Sequence, residues 1–180
     1  MKKFAVFASG EGTGLQALID SEVGNAIALV VSNKPECNAL NRAKKAGIDT
    51  YIISDDILEV LTKYDIYLIV LSGYMKVVTD DIINAYKDRI INIHPSLIPS
   101  FCGMGMYGRR VHEAALAKGV KVSGATVHMV TSEVDGGKIL AQKAVEVKED
   151  DTPETLGHRI QEEVEWVIMP EVVKQIITSD

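Results

Sequence analysis

The sequence is poor in the features that mark secreted, membrane-spanning and nucleic-acid-binding proteins. Its 180 residues include two cysteines, Cys37 and Cys102, without metal-ligand spacing, so we interpret both as free thiols in a reducing compartment. No apolar run approaches the ~20 residues that cross a bilayer, and the short run after Lys3 does not make a signal peptide. The 25 Asp and Glu outnumber the 19 Lys and Arg, and the resulting net charge of −6 would repel a polyanion. We therefore expect a cytoplasmic protein that binds neither membranes nor nucleic acid.

The rest of the composition is that of an ordinary globular protein. Hydrophobic residues make up 47% of the chain and charged residues 24%, which is enough to bury a substantial core. No linker, repeat or low-complexity segment interrupts the chain, so we expect a single domain over residues 1–180. A negative net charge still permits a local site for an anionic ligand.

Short apolar runs alternate with helical patterns along most of the chain. The patterns predict strands at 4–8, 26–31, 51–53, 66–71, 89–93, 122–130 and 139–147, and helices from residue 15 and at 39–46, 57–63, 80–86 and 111–118. Short apolar strands separated by helices indicate parallel strands joined by right-handed crossovers. The predicted fold class is therefore α/β, with a three-layer, doubly wound and mostly parallel sheet.

The second half of the chain departs from this rhythm. Residues 95–110 form a loop rich in proline and glycine, and loops of this length are usually functional or disordered. The Asp135-Gly136 step between the last two predicted strands indicates a tight reversal, so at least one strand should be antiparallel. Thr152 and Pro153 are suited to the start of a last helix.

A glycine-rich segment follows the first predicted strand and opens the first helix. It runs Ser9-Gly10-Glu11-Gly12-Thr13-Gly14, and its glycines allow a sharp turn and a close approach of the backbone to a ligand. The N–H groups at the helix start could bind a phosphate. The glycine spacing differs from that of dinucleotide-binding sites. From this segment alone, a phosphate site and a plain strand–helix turn are equally good interpretations.

Asn92 and His94 lie two residues apart at the predicted carboxyl end of a strand. Residues two apart on a strand face the same side, and ligand sites of open α/β sheets lie beyond the carboxyl ends of the strands. An amide donor and an imidazole are suited to stabilising an oxyanion and moving a proton. A histidine in such a place is nevertheless more often structural.

Asp135 and His128 form a third candidate pair. Asp135 precedes two glycines on a tight loop that could approach another loop, and His128 lies on a strand, where we expect it to brace the site rather than react. No Ser-His-Asp order, C-x-x-C or H-E-x-x-H motif is present, so we expect no metal.

Five segments together carry a pattern that no single motif provides. In chain order they read SGEGTGLQALID, VVSNKPECNALNRAKKAGI, VLSGYMKVV, INIHPSLIPSF and GATVHMVTSEVDGGKILAQ, followed by the final helix. Across nearly the whole chain they resemble the phosphoribosylglycinamide formyltransferases of purine biosynthesis. The resemblance implies a mixed sheet of about seven strands with one antiparallel strand.

The resemblance also implies roles for individual residues. The catalytic residues would be Asn92, His94 and Asp135, with His128 in support. The ribotide would bind Gly12, Thr13, Gly14 and Glu165, and the folate would bind Tyr74, Met75, Lys76, Val77, Val78, Asn92, Thr131 and Asp135. Gly14 departs from the family pattern, in which asparagine is common, so the phosphate would rely on backbone donors there.

The implied reaction moves the formyl group of 10-formyltetrahydrofolate, a co-substrate, to the amine of glycinamide ribonucleotide. Asn92 and a protonated His94 would donate hydrogen bonds to the oxyanion, and Asp135 would favour the imidazolium. We expect small-molecule partners and a monomer or homodimer. The alternatives are another folate-dependent formyltransferase or hydrolase of the same fold, and a non-catalytic phosphate- or nucleotide-binding domain.

Overall fold

The computed structural model describes residues 1–179 as alternating strands and helices. The strands are β1 (Lys3–Phe7), β2 (Ile27–Ser32), β3 (Thr50–Ile52), β4 (Ile66–Leu71), β5 (Ile90–His94), β6 (Val122–Met129) and β7 (Ile139–Glu146). The helices are α1 (Thr13–Asp20), α2 (Asn38–Lys45), α3 (Ile57–Lys63), α4 (Asp80–Ala85), α5 (Arg109–Lys118), α6 (Pro153–Ile160) and α7 (Trp166–Thr178). A short 3₁₀ turn, Gly24–Ala26, precedes β2, and a π-helical turn, Gln161–Glu165, separates α6 from α7.

Within the described residues, seven strands form one sheet in the order β3-β2-β1-β4-β5-β6-β7. The pairs β1–β2, β1–β4, β2–β3 and β4–β5 are parallel, whereas β6 and β7 are antiparallel. This arrangement confirms the predicted α/β fold with a mostly parallel sheet and the antiparallel reversal at Asp135-Gly136.

The chain divides into two compact units. The first comprises Met1–Asn92 and the C-terminal residues from Val173, and the second comprises Ile93–Val172. In the first unit, β1 lies between β2 and β4, and all its residues from Phe4 to Phe7 are fully buried. A strand covered on both faces is apolar throughout, which explains the run FAVFA.

The second unit is built on the β6–β7 hairpin. Residues Ser123 to His128 of β6 are buried, whereas the edge strand β7 is largely exposed. The buried side of α6 presents Leu156 and Ile160 to the core. Thr152 starts this helix as predicted, because its hydroxyl accepts from the Thr155 N–H while the Thr155 hydroxyl accepts from the Thr152 N–H.

Two further predictions can be compared with the structure. Cys37 and Cys102 are both free, as expected. Over residues 1–179, no helix combines the length and apolarity needed to cross a bilayer.

The π-helical turn was not predicted, and the last helical region is therefore two helices.

Candidate active site

The glycine-rich segment is a tight connection between β1 and α1. Gly12 is the N-cap of α1 and has a left-handed backbone, with φ 73° and ψ 29°. A β-carbon at Gly12 would lie 2.7 Å from Ala39 Cα. Both the backbone conformation and the lack of space therefore require glycine at this position.

The N-terminal part of α2 holds this segment in place. The Ala39 N–H donates to Gly10 O at 3.0 Å, and Arg42 Nε donates to Glu11 O at 2.7 Å. Asn38 Nδ2 donates to Glu11 Oε2 at 3.0 Å. The sequence did not indicate a role for Arg42, because its contact is with a backbone oxygen 31 residues away.

The start of α1 presents free N–H groups. The first intrahelical bond runs from Gln16 N to Gly12 O, and no side chain caps the helix. Among the described residues, the N–H groups of Thr13, Gly14 and Leu15 have no acceptor. Together with the positive end of the helix dipole, these groups are suited to an anion.

The segment predicted to bind folate, Tyr74–Val78, follows β4 in the same unit. The Tyr74 ring packs edge-on against Phe7 at 5.4 Å, and burial raises the pKa of its phenol. The Met75 N–H donates to Ser9 Oγ at 2.9 Å, which ties this segment to the glycine-rich one. Val78 is buried, Lys76 is exposed, and Met75 and Val77 expose 51% and 68% of their surface. Exposed apolar side chains of this kind are suited to an aromatic ligand.

His94 ends β5 and is almost completely buried. Its Nε2 lies 2.8 Å from Phe101 O, and its Nδ1 lies 3.6 Å from Asp135 Oδ2. A carbonyl oxygen only accepts, so Nε2 must donate to it. A neutral ring would then turn its Nδ1 lone pair toward the carboxylate. The ring therefore presents its Nδ1 edge to the Asp135 carboxylate.

Asp135 lies in the β6–β7 turn and has a left-handed backbone with φ 55°. Its Oδ2 accepts from the Gly103 N–H at 3.0 Å, and its Oδ1 lies 3.5 Å from His128 Nε2. Burial alone would raise the pKa of this carboxyl. The hydrogen bonds from His128 and Gly103 and the charges of both histidines outweigh burial and lower the pKa below its ordinary value.

The structure thus brings His94, Asp135 and His128 into one cluster. His128 is buried, and its Nδ1 lies 2.9 Å from Met129 O. Its Nε2 therefore faces Asp135, as the Nδ1 of His94 does. Asn92 lies two residues before His94 on β5, and the boundary between the two units falls directly after it. Thr131 is exposed and forms a turn with Glu133, in which the Glu133 N–H donates to Thr131 Oγ1 at 3.3 Å.

Thr126 supports this cluster, and no sequence pattern indicated this role. Its buried hydroxyl donates to Ser96 O at 2.7 Å and accepts from the Ile98 N–H at 3.1 Å. Gln142 Nε2 also donates to this hydroxyl, at 3.0 Å, and to Ile98 O, at 2.9 Å. These bonds fix the chain directly after His94. A threonine on a strand carries no such signal, because its partners are backbone groups distant in sequence.

His112 on α5 is a third residue whose position the sequence did not indicate. It is buried against Gly157, where a β-carbon would lie 3.0 Å from its ring. Burial, followed by the charge of His94, lowers its pKa, so the ring is neutral at pH 7. Within residues 1–179 its Nδ1 has no hydrogen-bond partner.

Glu165 is the last residue of the π-helical turn. The turn is supported by Lys143 Nζ, which donates to Glu163 O at 2.9 Å. Burial raises the pKa of the Glu165 carboxyl from 4.5 to about 7. In the described part of the chain this carboxyl has no hydrogen-bond partner, and the neighbouring Trp166 Nε1 is buried without one. A single π-helical turn inside a helix often marks a functional site.

Comparison with known proteins places these features in a family. A family model described as formyl transferase matches residues 2–173. The chloroplastic phosphoribosylglycinamide formyltransferase of Arabidopsis thaliana is 39% identical over 191 residues, which cover 97% of this chain and 65% of that relative. The phosphoribosylglycinamide formyltransferase of Bacillus subtilis strain 168 is 39% identical over 193 residues, covering 98% of this chain and 95% of the relative.

Solved structures agree with these relatives. Glycinamide ribonucleotide transformylase 1 from Symbiobacterium toebii superposes with a TM-score of 0.90 at 38% identity, covering 98% of this chain and 88% of that one. The chain spans slightly under two thirds of the Arabidopsis relative and nearly all of the Bacillus one. On its sequence and its fold, this chain belongs to the formyl transferase family.

Proposed function

We propose that this protein is a phosphoribosylglycinamide formyltransferase. It transfers the formyl group of 10-formyltetrahydrofolate to the amine of glycinamide ribonucleotide, in the cytoplasm, as a step of purine biosynthesis. The likeness to enzymes named for this activity supports the reaction. The observation that carries the chemistry is the placement of His94 between an acceptor-only carbonyl and the Asp135 carboxylate.

In this proposal His94 acts as a charged donor. Its Nδ1 lies 3.6 Å from Asp135 Oδ2, beyond ordinary hydrogen-bond length, so a proton on Nδ1 can be donated to a substrate oxygen. The carboxylate is near enough to stabilise the positive ring. When the substrate amine attacks the formyl carbon, His94 and Asn92 donate to the oxygen that becomes negative. Each such donor typically contributes ~10²–10³ in rate.

Asp135 then has two roles. Its lowered pKa keeps it ionised at neutral pH, so it favours the imidazolium throughout the reaction. Through a water molecule it can also take the proton that the attacking amine loses and pass it to the leaving nitrogen. The Gly103 N–H and His128 orient the carboxylate for both roles.

The binding residues carry over from the family resemblance. Thr13, Gly14 and the backbone at Gly12 would hold the ribotide phosphate, and Glu165 would hold the glycinamide amine. The folate would contact Tyr74, Met75, Lys76, Val77, Val78, Asn92, Thr131 and Asp135. We further propose one domain over residues 1–180, acting as a monomer or homodimer on small molecules.

A single assay tests the function. Purified protein is given 10-formyltetrahydrofolate with either glycinamide ribonucleotide or formyl-accepting tRNA, and tetrahydrofolate release is followed. We expect turnover with the ribotide and none with the tRNA. The His94→Ala variant should lose this turnover. Transfer to tRNA, or release of formate without an acceptor, would identify another enzyme of the family. Tight ribotide binding without turnover would indicate a non-catalytic binding domain.

A further inference from the structure

Ser72 lies beside the glycine-rich segment and has no role in the function proposed so far. It directly follows β4, and its N–H donates to Phe7 O at 2.9 Å, so its backbone is anchored at the end of β1. The residue is 8% exposed. Within the described residues its hydroxyl makes no hydrogen bond. Among residues 1–179 only His112 Nδ1 and Trp166 Nε1 are fully buried polar side-chain atoms without a partner, so the unpaired Ser72 oxygen retains contact with solvent and is accessible to a ligand.

The hydroxyl points at Gly14. A β-carbon at Gly14 would lie 2.3 Å from Ser72 Oγ, which is far inside van der Waals contact, and 3.7 Å from Ser72 Cβ. Gly14 belongs to α1, where its helical backbone would accept any residue with a side chain. The need for glycine is therefore one of space, and the Ser72 hydroxyl occupies the space that a side chain at position 14 would take.

The groups around this hydroxyl are donors. The N–H groups of Thr13, Gly14 and Leu15 have no acceptor among residues 1–179. The first turn of α1 contains no acidic residue, and the nearby Glu11 carboxylate accepts from Asn38. The free N–H groups and the positive end of the helix dipole therefore favour an anion at this point. A phosphate monoester offers three terminal oxygens, which is enough for several N–H groups and a hydroxyl at once.

We infer that the Ser72 hydroxyl donates to the phosphate of the ribotide at the start of α1, as a side-chain ligand in place of one from position 14. This inference rests on the proposed function, because it takes the ribotide as the ligand. It replaces the expectation that only backbone groups of the helix bind the phosphate on this side.

The test compares ligands that differ in the phosphate alone. The affinities of wild type and Ser72→Ala for glycinamide ribonucleotide and for its dephosphorylated riboside are measured by isothermal titration calorimetry. Because Ser72→Ala would lose a hydrogen bond to a charged phosphate, it should bind the ribotide roughly 10- to 100-fold more weakly than the wild type. The affinity for the riboside should not change. Ser123→Ala is the matched control, because Ser123 is a buried serine on β6 without a hydroxyl hydrogen bond in residues 1–179.

A second variant tests the geometry. In Gly14→Ala the new methyl group must displace the Ser72 hydroxyl, so the ribotide should again bind more weakly. In the double variant with Ser72→Ala this overlap is absent. The two losses should therefore be non-additive, with the double variant binding no more weakly than Ser72→Ala alone.

The outcomes separate the inference from the function. Wild-type ribotide affinity in Ser72→Ala, equal losses for ribotide and riboside, or additive losses in the double variant would each overturn the role of Ser72. The proposed function would stand in those cases if the wild type formylates the ribotide. A wild type that binds ribotide and riboside equally would instead overturn the phosphate site and the proposed substrate.

Discussion

Replacing Glu165 by glutamine should remove a pH dependence from the stability of the fold. Glu165 ends the π-helical turn, and burial raises the pKa of its carboxyl from 4.5 to about 7. Within the described residues it has no partner that would offset the burial of a negative charge. The folded protein therefore holds a proton on Glu165 over a pH range in which the unfolded chain has lost it.

The direction and size of the effect follow from the two pKa values. Below pH 4.5 the carboxyl is protonated in both states, and its burial costs no ionisation energy. As the pH rises from 4.5 to about 7, the unfolded state is favoured progressively, and above that range the effect is constant. At ~1.4 kcal/mol per pKa unit, the free energy of unfolding falls by roughly 3 kcal/mol.

Glutamine has a similar shape and cannot ionise, so Glu165→Gln should be the more stable protein above pH 7. Urea unfolding at intervals between pH 4.5 and 9 measures the difference between the two proteins. Glu162→Gln is the matched control, since Glu162 is exposed in the same turn and should leave the wild-type profile unchanged. Parallel profiles for wild type and Glu165→Gln would refute the reasoning.

The same carboxyl links ribotide binding to pH. The substrate amine in its cationic form would stabilise the carboxylate, so ribotide binding near pH 6 should release a proton from Glu165. Calorimetry in buffers of different ionisation enthalpy detects this release. In Glu165→Gln the release should disappear and KM for the ribotide should rise, whereas an unchanged proton count would show that the amine binds elsewhere.

Three further predictions concern chemistry, binding and folding. Asn92→Ala and Asp135→Asn should each lower kcat ~10²–10³-fold with little change in KM, and near-normal turnover in Asp135→Asn would mean that another carboxylate acts. Gly12→Val should weaken ribotide binding far more than folate binding, because its side chain overlaps Ala39; equal losses in a two-ligand titration would show a purely structural loop. Asp151→Asn should destabilise the fold by about 1–3 kcal/mol at neutral pH, since it breaks the two-bond pair with Arg159. Because the pKa of Asp151 is lowered, this difference in unfolding free energy persists down to pH 3.8 and shrinks progressively at lower pH. Acid unfolding of both proteins measures it.

Local patterns predicted the fold well because its strands are short apolar runs with clear ends. The helix at Ile57–Lys63 and the strand at Ile66–Leu71 have the predicted bounds, and the first strand is shifted by one residue, to Lys3–Phe7. The π-helical turn escaped prediction because one extra residue in a helical turn leaves the apolar spacing nearly helical. Its partner, Lys143, contacts a backbone carbonyl, which no side-chain pattern reveals.

The residue types of the candidate site were predictable from the sequence, whereas the contacts that orient these residues were not. The spacing of Asn92 and His94 indicated a shared strand face, and the turn at Asp135 indicated a loop that could meet another. The contacts that orient these groups come from the Phe101 carbonyl and the Gly103 N–H. Every residue has such backbone groups, so only the folded chain shows which ones are used. The roles of these residues in catalysis remain predictions for the variants above.

The uncapped start of α1 has a consequence for the motions of the free protein. A capping side chain commonly contributes about 1 kcal/mol to a helix, and Gly12 supplies none. Without ligand, the first turn of α1 should therefore fray more readily than its centre, and its amides should exchange quickly with solvent. A bound anion would complete this turn and slow the exchange at Thr13, Gly14 and Leu15 in particular. Amide exchange at these three positions would then report occupancy of the site directly, even with ligands that undergo no reaction.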